Sequence, residues 1–354
     1  MVRSRSVPDL TRTLLTDAAA APPSRRPPVL VWTIGLALLL VLSIASLFIG
    51  SQDVSPATVV RALVDFDPTD PEQVAVRLLR VPRTLVGILA GVALGAAGSL
   101  IQAITRNPLA EPGLLGVNSG AAAVVATGIL AFGEVSITGL LGLAFVGAAV
   151  AGVVVLLLGG AFRTTADPVR LVLAGAALSV VVGSFVIALL VSYPARFATF
   201  RNWDAGAVLP RPWELIGAAT VLILIGVIAA LAISRSLDAL ALGTLGRALG
   251  ASVRRTWIVA GSAIVVLCGT ATALTGPIGF LGLIAPVLGR RLVGPSYAFL
   301  LPTSMIIGVD LLLAADILGR VVVGAGEVQA AIVLALIGGP VFVAVARRRR
   351  LVSL

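Results

Sequence analysis

Long apolar runs alternate with short polar breaks along almost the whole chain, and ten such runs stand out, at residues 29–50, 85–105, 115–132, 137–162, 171–191, 213–233, 257–275, 278–292, 300–318 and 328–346. Most approach the roughly 20 residues that a helix needs to cross about 30 Å of hydrocarbon. Backbone groups in lipid must be satisfied within the segment, so each run is expected to be helical. Gly and Pro interrupt the second to fourth runs and the eighth, whose connections are short. The expected fold is all-α, a polytopic membrane protein of about ten transmembrane helices over residues 29–346. A disordered cytoplasmic tail, residues 1–28, is expected before it and a basic cytoplasmic tail, residues 347–354, after it. Residues 51–83 carry Asp53, Asp65, Asp67, Asp70 and Glu72 and are too polar to span. A short surface helix is expected at 57–64, followed by irregular chain that ends at Pro82, where the second spanning helix begins.

Composition narrows the possibilities. Apolar residues make up 58% of the 354 and charged ones 12%, with a mean hydropathy of +1.10. A soluble domain has about 45–50% and 25%, so a soluble fold is excluded. The chain contains no histidine, which removes His-based catalysis and His–metal sites. Its one cysteine, Cys268, lies in an apolar run and reads as a small buried hydrophobe.

All 26 cationic residues are Arg, for a formal charge of +10. With the amino terminus inside, 18 of them fall on the cytoplasmic side and 8 outside. That is the positive-inside pattern with both termini cytoplasmic, so the basic balance reports topology and implies no nucleic acid. Arg25–Arg26 precede Pro27–Pro28 and an apolar run with no A-x-A site, the pattern of an uncleaved signal anchor.

Three features go beyond span counting. Gly87, Gly91, Gly95 and Gly98 place small residues on one face of the second span, a surface that lets another helix approach closely. After that span, residues 106–116 read Arg-Asn-Pro-Leu-Ala-Glu-Pro-Gly-Leu-Leu-Gly, in which two prolines four apart end the helix and force an ordered turn. Acids inside a span ordinarily invite a functional reading. Asp316 and Arg320 stand at i and i+4, the spacing of a structural ion pair, whereas Asp310 has no evident partner and is expected to face a cavity or a neighbouring helix.

Arg80-Val81-Pro82-Arg83, Gln102, the 106–116 turn and Gly120-Ala121 resemble the FecCD-type permeases of bacterial ABC importers for iron siderophores, haem and cobalamin. So do Leu240-Ala241-Leu242-Gly243 with Ala248-Leu249-Gly250, the run Gly276 to Pro286, Asp316 with Arg320, and Gly338-Gly339-Pro340-Val341-Phe342. The resemblance covers nearly everything after about Ser55. It implies a ten-helix permease domain over 29–346, multi-pass in the cell membrane, that moves an iron–siderophore complex from an external binding protein to the cytoplasm. A cobalamin or haem permease is the alternative within the family. An ion-coupled secondary transporter is the alternative from a different class, and Asp310 is its only support.

Residue roles follow from the same resemblance. Arg80, Arg83 and Arg320 match the arginines that dock the binding protein, and Asn107, Pro108 and Leu109 match the cytoplasmic gate. Leu240, Leu242, Gly243, Ala248, Leu249 and Gly250 match the coupling helices, which fall in the loop 235–255 and receive motion from the ATPase. The chain departs from the family at Thr244, Val287 and Gln329, and the last two suggest pairing with a nonidentical sister permease. The implied partners are that sister chain or a second copy, two nucleotide-binding ATPase subunits and an extracytoplasmic binding protein. With no G-x-x-x-x-G-K-[ST] run, the chain is expected to bind no cofactor or metal and to be no enzyme, ATP–Mg belonging to the partner ATPase.

Overall fold

A computed structural model describes residues 27–50, 54–133, 135–160, 168–194, 198–241, 252–323 and 326–347. Most of both expected tails therefore lies outside the described residues. Among the described residues all regular structure is helical. In chain order the helices are α1 (Pro28–Phe48), α2 (Pro56–Val64), α3 (Pro71–Val74), α4 (Val81–Thr105), α5 (Val117–Phe132), α6 (Ile137–Leu158) and α7 (Pro168–Ser192). The remainder are α8 (Ala198–Asp204), α9 (Trp213–Ala232), α10 (Ser234–Ala241), α11 (Val253–Thr275), α12 (Leu281–Val293), α13 (Tyr297–Val321) and α14 (Ala330–Arg347).

Each of the ten apolar runs forms a helix, but they do not all have spanning length. Among the described residues seven helical stretches are long and apolar enough to cross a membrane: α1, the continuous stretch Pro71–Thr105, α6, α7, α9, α11 and α13. Helix α5 has 16 residues and α12 only 13, about 20 Å of rise against about 30 Å of hydrocarbon. Both are clipped by left-handed backbone. Gly116 at φ +68° precedes α5, Phe280 at φ +65° precedes α12, and Gly294 follows α12 at φ +90°.

The outer segment is more ordered than its composition suggests. Helix begins at Pro71, not at Pro82, and runs through a π-helical stretch, Ala75–Arg80, directly into α4. Proline within a regular helix clashes with the carbonyl four residues back. Here Pro82 sits in the first turn of α4, and the preceding N–H, on Val81, bonds to Val76 O in the wider i→i+5 pattern, which moves the obstructing carbonyl. The surface helix is present as α2, capped by Ser55, whose hydroxyl accepts from the Thr58 N–H.

Helices α4 and α11 are the most enclosed, each with 78% of its most apolar window buried, and α13 follows with 61%. The glycine face of α4 explains how. A methyl group added at Gly91 would meet the Val309 backbone, at Gly95 the Ser304 carbonyl, and at Gly98 the Gly282 carbonyl. Backbones of α13 and α12 thus lie directly against α4, the packing available where lipid removes any hydrophobic preference between helices. Helix α1 is only 6% buried and leans on α13, where Trp32 Nε1 donates to Thr303 Oγ1 at 2.9 Å. Helix α7 is 17% buried and leaves Leu173, Val180, Val181, Ile187 and Val191 exposed.

Candidate functional site

The polar residues that composition does not explain gather at the two ends of α4. At the Arg80 end, Asp316 of α13 is 2% exposed and lies between two guanidinium groups. Arg83 donates from Nη2 to Oδ1 at 2.8 Å and from Nε to Oδ2 at 3.2 Å, the bidentate fork that suits a carboxylate, while Arg320 donates from Nη2 to Oδ2. Arg83 has a second carboxylate partner. Its Nη1 donates to Glu327 Oε2 at 2.8 Å.

Arg320 and a third arginine, Arg80, hold the end of α1, where carbonyls lack intrahelical partners and carry partial negative charge. Arg80 Nη1 donates to Leu47 O at 2.8 Å and Phe48 O at 2.9 Å. Arg320 Nη1 donates to Ser46 O and Ile49 O, both at 2.9 Å. Ser46 Oγ, which accepts from Arg320 Nη2, lies 2.8 Å from the Thr84 hydroxyl. Gly50 leaves room for this clamp, because a Cβ there would sit 2.7 Å from an Arg80 guanidinium nitrogen and displace it. Arg80, Arg83, Arg320, Glu327, Gly50 and Pro210 line a recess of about 230 Å³. The adjoining loop is anchored by Arg211, which is buried and donates to Leu274 O at 2.8 Å, and burial lowers its pKa to about 10.

The Arg106 end is built differently. Arg106 ends α4 in left-handed backbone at φ +50° and donates through Nη2 to Leu240 O, near the end of α10, at 2.9 Å. Asn107 Oδ1 then accepts the Leu109 N–H at 2.9 Å, an Asx turn around Pro108. Glu111 Oε1 accepts the Phe280 N–H at 2.7 Å and so holds that left-handed residue at the entry to α12. Burial raises the Glu111 pKa, and the Phe280 N–H opposes part of that rise. Gln102, fully buried, donates to Leu283 O at 3.3 Å and accepts from Arg290 Nη1 at 3.5 Å. Arg290 Nε and Nη2 are buried without a hydrogen-bond partner among the described residues.

Of the residues singled out in the sequence, Arg80, Arg83, Arg320 and Asp316 meet at one end, with Arg83 pairing Asp316 alongside Arg320. Asn107, Pro108 and Leu109 form one turn at the other, tied through Arg106 to Leu240. Leu242, Gly243, Ala248, Leu249 and Gly250, and with them Thr244, lie outside the described residues. Asp310 faces α1 beside Gly35, with Oδ1 buried and lacking a hydrogen-bond partner among the described residues. Sequence reasoning missed Glu327 as the partner of Arg83, and no local spacing links positions 244 residues apart.

An enclosed helical centre with several spanning helices around it is the architecture of a multi-pass membrane protein. The chain belongs to the FecCD transport family, which it matches over residues 38–348. It is 42% identical over 317 residues to the ferric enterobactin transport system permease protein FepD of Escherichia coli strain K12, covering 89% of this chain and 94% of that protein. Identity to the Fe(3+) dicitrate transport system permease protein FecC of the same strain is 38% over 327 residues, covering 91% and 98%. Among solved structures, an inward-facing conformation of a metal-chelate type ABC transporter matches with a TM-score of 0.77 at 27% identity, covering 91% of this chain and 100% of that one.

Proposed function

We propose that the chain is a permease subunit of an ATP-driven importer that passes a ferric siderophore from an extracytoplasmic binding protein to the cytoplasm. The observation that carries this reading is the 42% identity, over nearly the full length of both chains, to a ferric enterobactin permease. Both termini face the cytoplasm, which puts the Arg80 end outside and the Arg106 end inside, in keeping with the arginine asymmetry. The iron chelate is cargo. Two ATPase subunits bind ATP–Mg and a sister permease completes the pathway.

The arginine recess is then the docking surface for acidic side chains of the binding protein. Arg83 presents the guanidinium that such a group reaches, while Arg80 and Arg320, held on the end of α1, fix the shape and field around it. Asn107, Pro108 and Leu109 form the inner gate, where Pro108 stiffens the turn and the Asx bond sets its path. Motion from the ATPase arrives on the coupling loop 235–255 and reaches this turn through the Arg106 bond to Leu240.

The test is made on the assembled importer in nanodiscs. Ferric-siderophore-loaded binding protein is expected to stimulate ATP hydrolysis, and a disulfide between Leu109→Cys and its counterpart in the sister chain is expected to form in only one nucleotide state. Hydrolysis indifferent to the loaded binding protein overturns the assignment, and crosslinking indifferent to nucleotide removes the gate.

A further inference from the structure

Glu327 occupies the one guanidinium nitrogen of Arg83 that Asp316 leaves outermost. The two bonds from Arg83 to Asp316 are part-buried, whereas the bond to Glu327 is exposed. Exposure differs in the same sense, 2% for the Asp316 side chain and 31% for Glu327. Asp316 is fixed from two sides, by Arg83 and Arg320. Among the described residues Glu327 forms an ion pair with Arg83 alone, and it borders the recess that Arg80, Arg83 and Arg320 line. Of the two carboxylates that pair with Arg83, Glu327 is the exposed one and is placed to leave.

We propose that Glu327 is an internal stand-in for the docking carboxylate: it holds Arg83 in the undocked permease and is displaced from Nη1 by an acidic side chain of the binding protein. This inference rests on the docking role of the arginine recess stated above. The exchange replaces one carboxylate with another, so it changes little in charge pairing at Arg83. What it changes is selectivity. A competing group must displace a carboxylate tethered within the same chain, whose effective concentration is high. A lone anion meets that barrier with a single contact, whereas a protein lobe brings several contacts at once, so the intramolecular pair discriminates against the wrong ligand. Without Glu327, Arg83 Nη1 faces the recess with no carboxylate on it, and the recess is more positive and attracts acidic groups from farther away.

The experiment measures association of the cognate binding protein with the intact importer by surface-immobilised kinetics across a salt series. Glu327→Gln keeps an oxygen acceptor for Arg83 but removes the competing charge. It is expected to raise the association rate by roughly three- to tenfold at low salt, to steepen its salt dependence, and to lose that gain when combined with Arg83→Gln. Glu327→Asp keeps the charge and is expected to behave like the natural protein. Arg83→Gln alone reports on the docking role itself and is expected to slow association. If Arg83→Gln slows association but Glu327→Gln leaves it unchanged or slows it too, Glu327 is a fixed part of the surface and the exchange is wrong. If Arg83→Gln has no effect, the docking role falls, and the exchange with it.

Discussion

The two ends of α4 solve the problem of polar groups at a membrane boundary in opposite ways. At the Arg80 end, charge is matched by charge: Asp316 lies between Arg83 and Arg320, and Arg320 together with Arg80 locks the end of α1 through its backbone carbonyls. At the Arg106 end, no ion pair forms among the described residues. Side chains there reach backbone groups, as Arg106 does to Leu240 and Glu111 to Phe280, and two nitrogens of Arg290 stay buried without a hydrogen-bond partner among the described residues. Buried, bidentate charge pairs tolerate little displacement, because separating them exposes each partner to the full desolvation cost. Single hydrogen bonds to backbone are worth about 1 kcal/mol and can be exchanged. Under the proposed function, the contrast gives rigidity to the end that would receive the binding protein and movement to the end that would open.

Substitutions can break this contrast. The largest effect is expected for Asp316→Ala, which takes the buried carboxylate from between Arg83 and Arg320 and should destabilise the folded chain by about 3–5 kcal/mol, seen as loss of monodisperse protein and a lower melting temperature in detergent. Gly95→Leu comes next. Its side chain meets the Ser304 carbonyl of α13, and the clash should cost about 3 kcal/mol while pushing the two helices apart along their whole contact. Arg106→Ala removes one bond and relaxes nothing else, so stability should fall by about 1 kcal/mol while siderophore uptake drops several-fold, a split that a purely structural arginine does not produce.

The smallest expected effect concerns Glu111 and sharpens the comparison through pH. Its folded-state pKa is raised, burial outweighing the Phe280 N–H, so the folded chain holds this proton more tightly than the unfolded chain. The stabilisation is complete below the ordinary carboxylate value and is lost as pH rises through the raised one. Glu111→Gln keeps an oxygen for the Phe280 N–H without the buried charge. Relative to the natural chain it should gain less than about 1 kcal/mol at neutral pH and nothing in acid, read from melting temperature against pH.

How much of this was legible in the sequence depended on distance along the chain. The Asp316–Arg320 pair sits at helical spacing and can be read directly, as can the glycine face of α4. The pairing of Arg83 with Asp316 joins positions 233 apart, and the identity of the helix against those glycines is a property of the fold alone. The contacts of Arg80 were hidden for a different reason. Its partners include the carbonyls of Leu47 and Phe48, and backbone groups leave no signature in residue type. Polar composition likewise hid the helix from Pro71 to Arg80, because charged residues and Pro82 resemble a loop until the π-helical turn is seen to accommodate the proline.

Asp310 poses the sharpest challenge to an ATP-driven reading, since an embedded carboxyl facing α1 is also what an ion-coupled carrier would use. Uptake of a radiolabelled ferric siderophore into proteoliposomes holding the complete importer, with binding protein outside, separates the two directly. The account predicts accumulation that requires ATP inside the vesicle, survives a protonophore and persists in Asp310→Asn. Accumulation without ATP that collapses on adding the protonophore would contradict it.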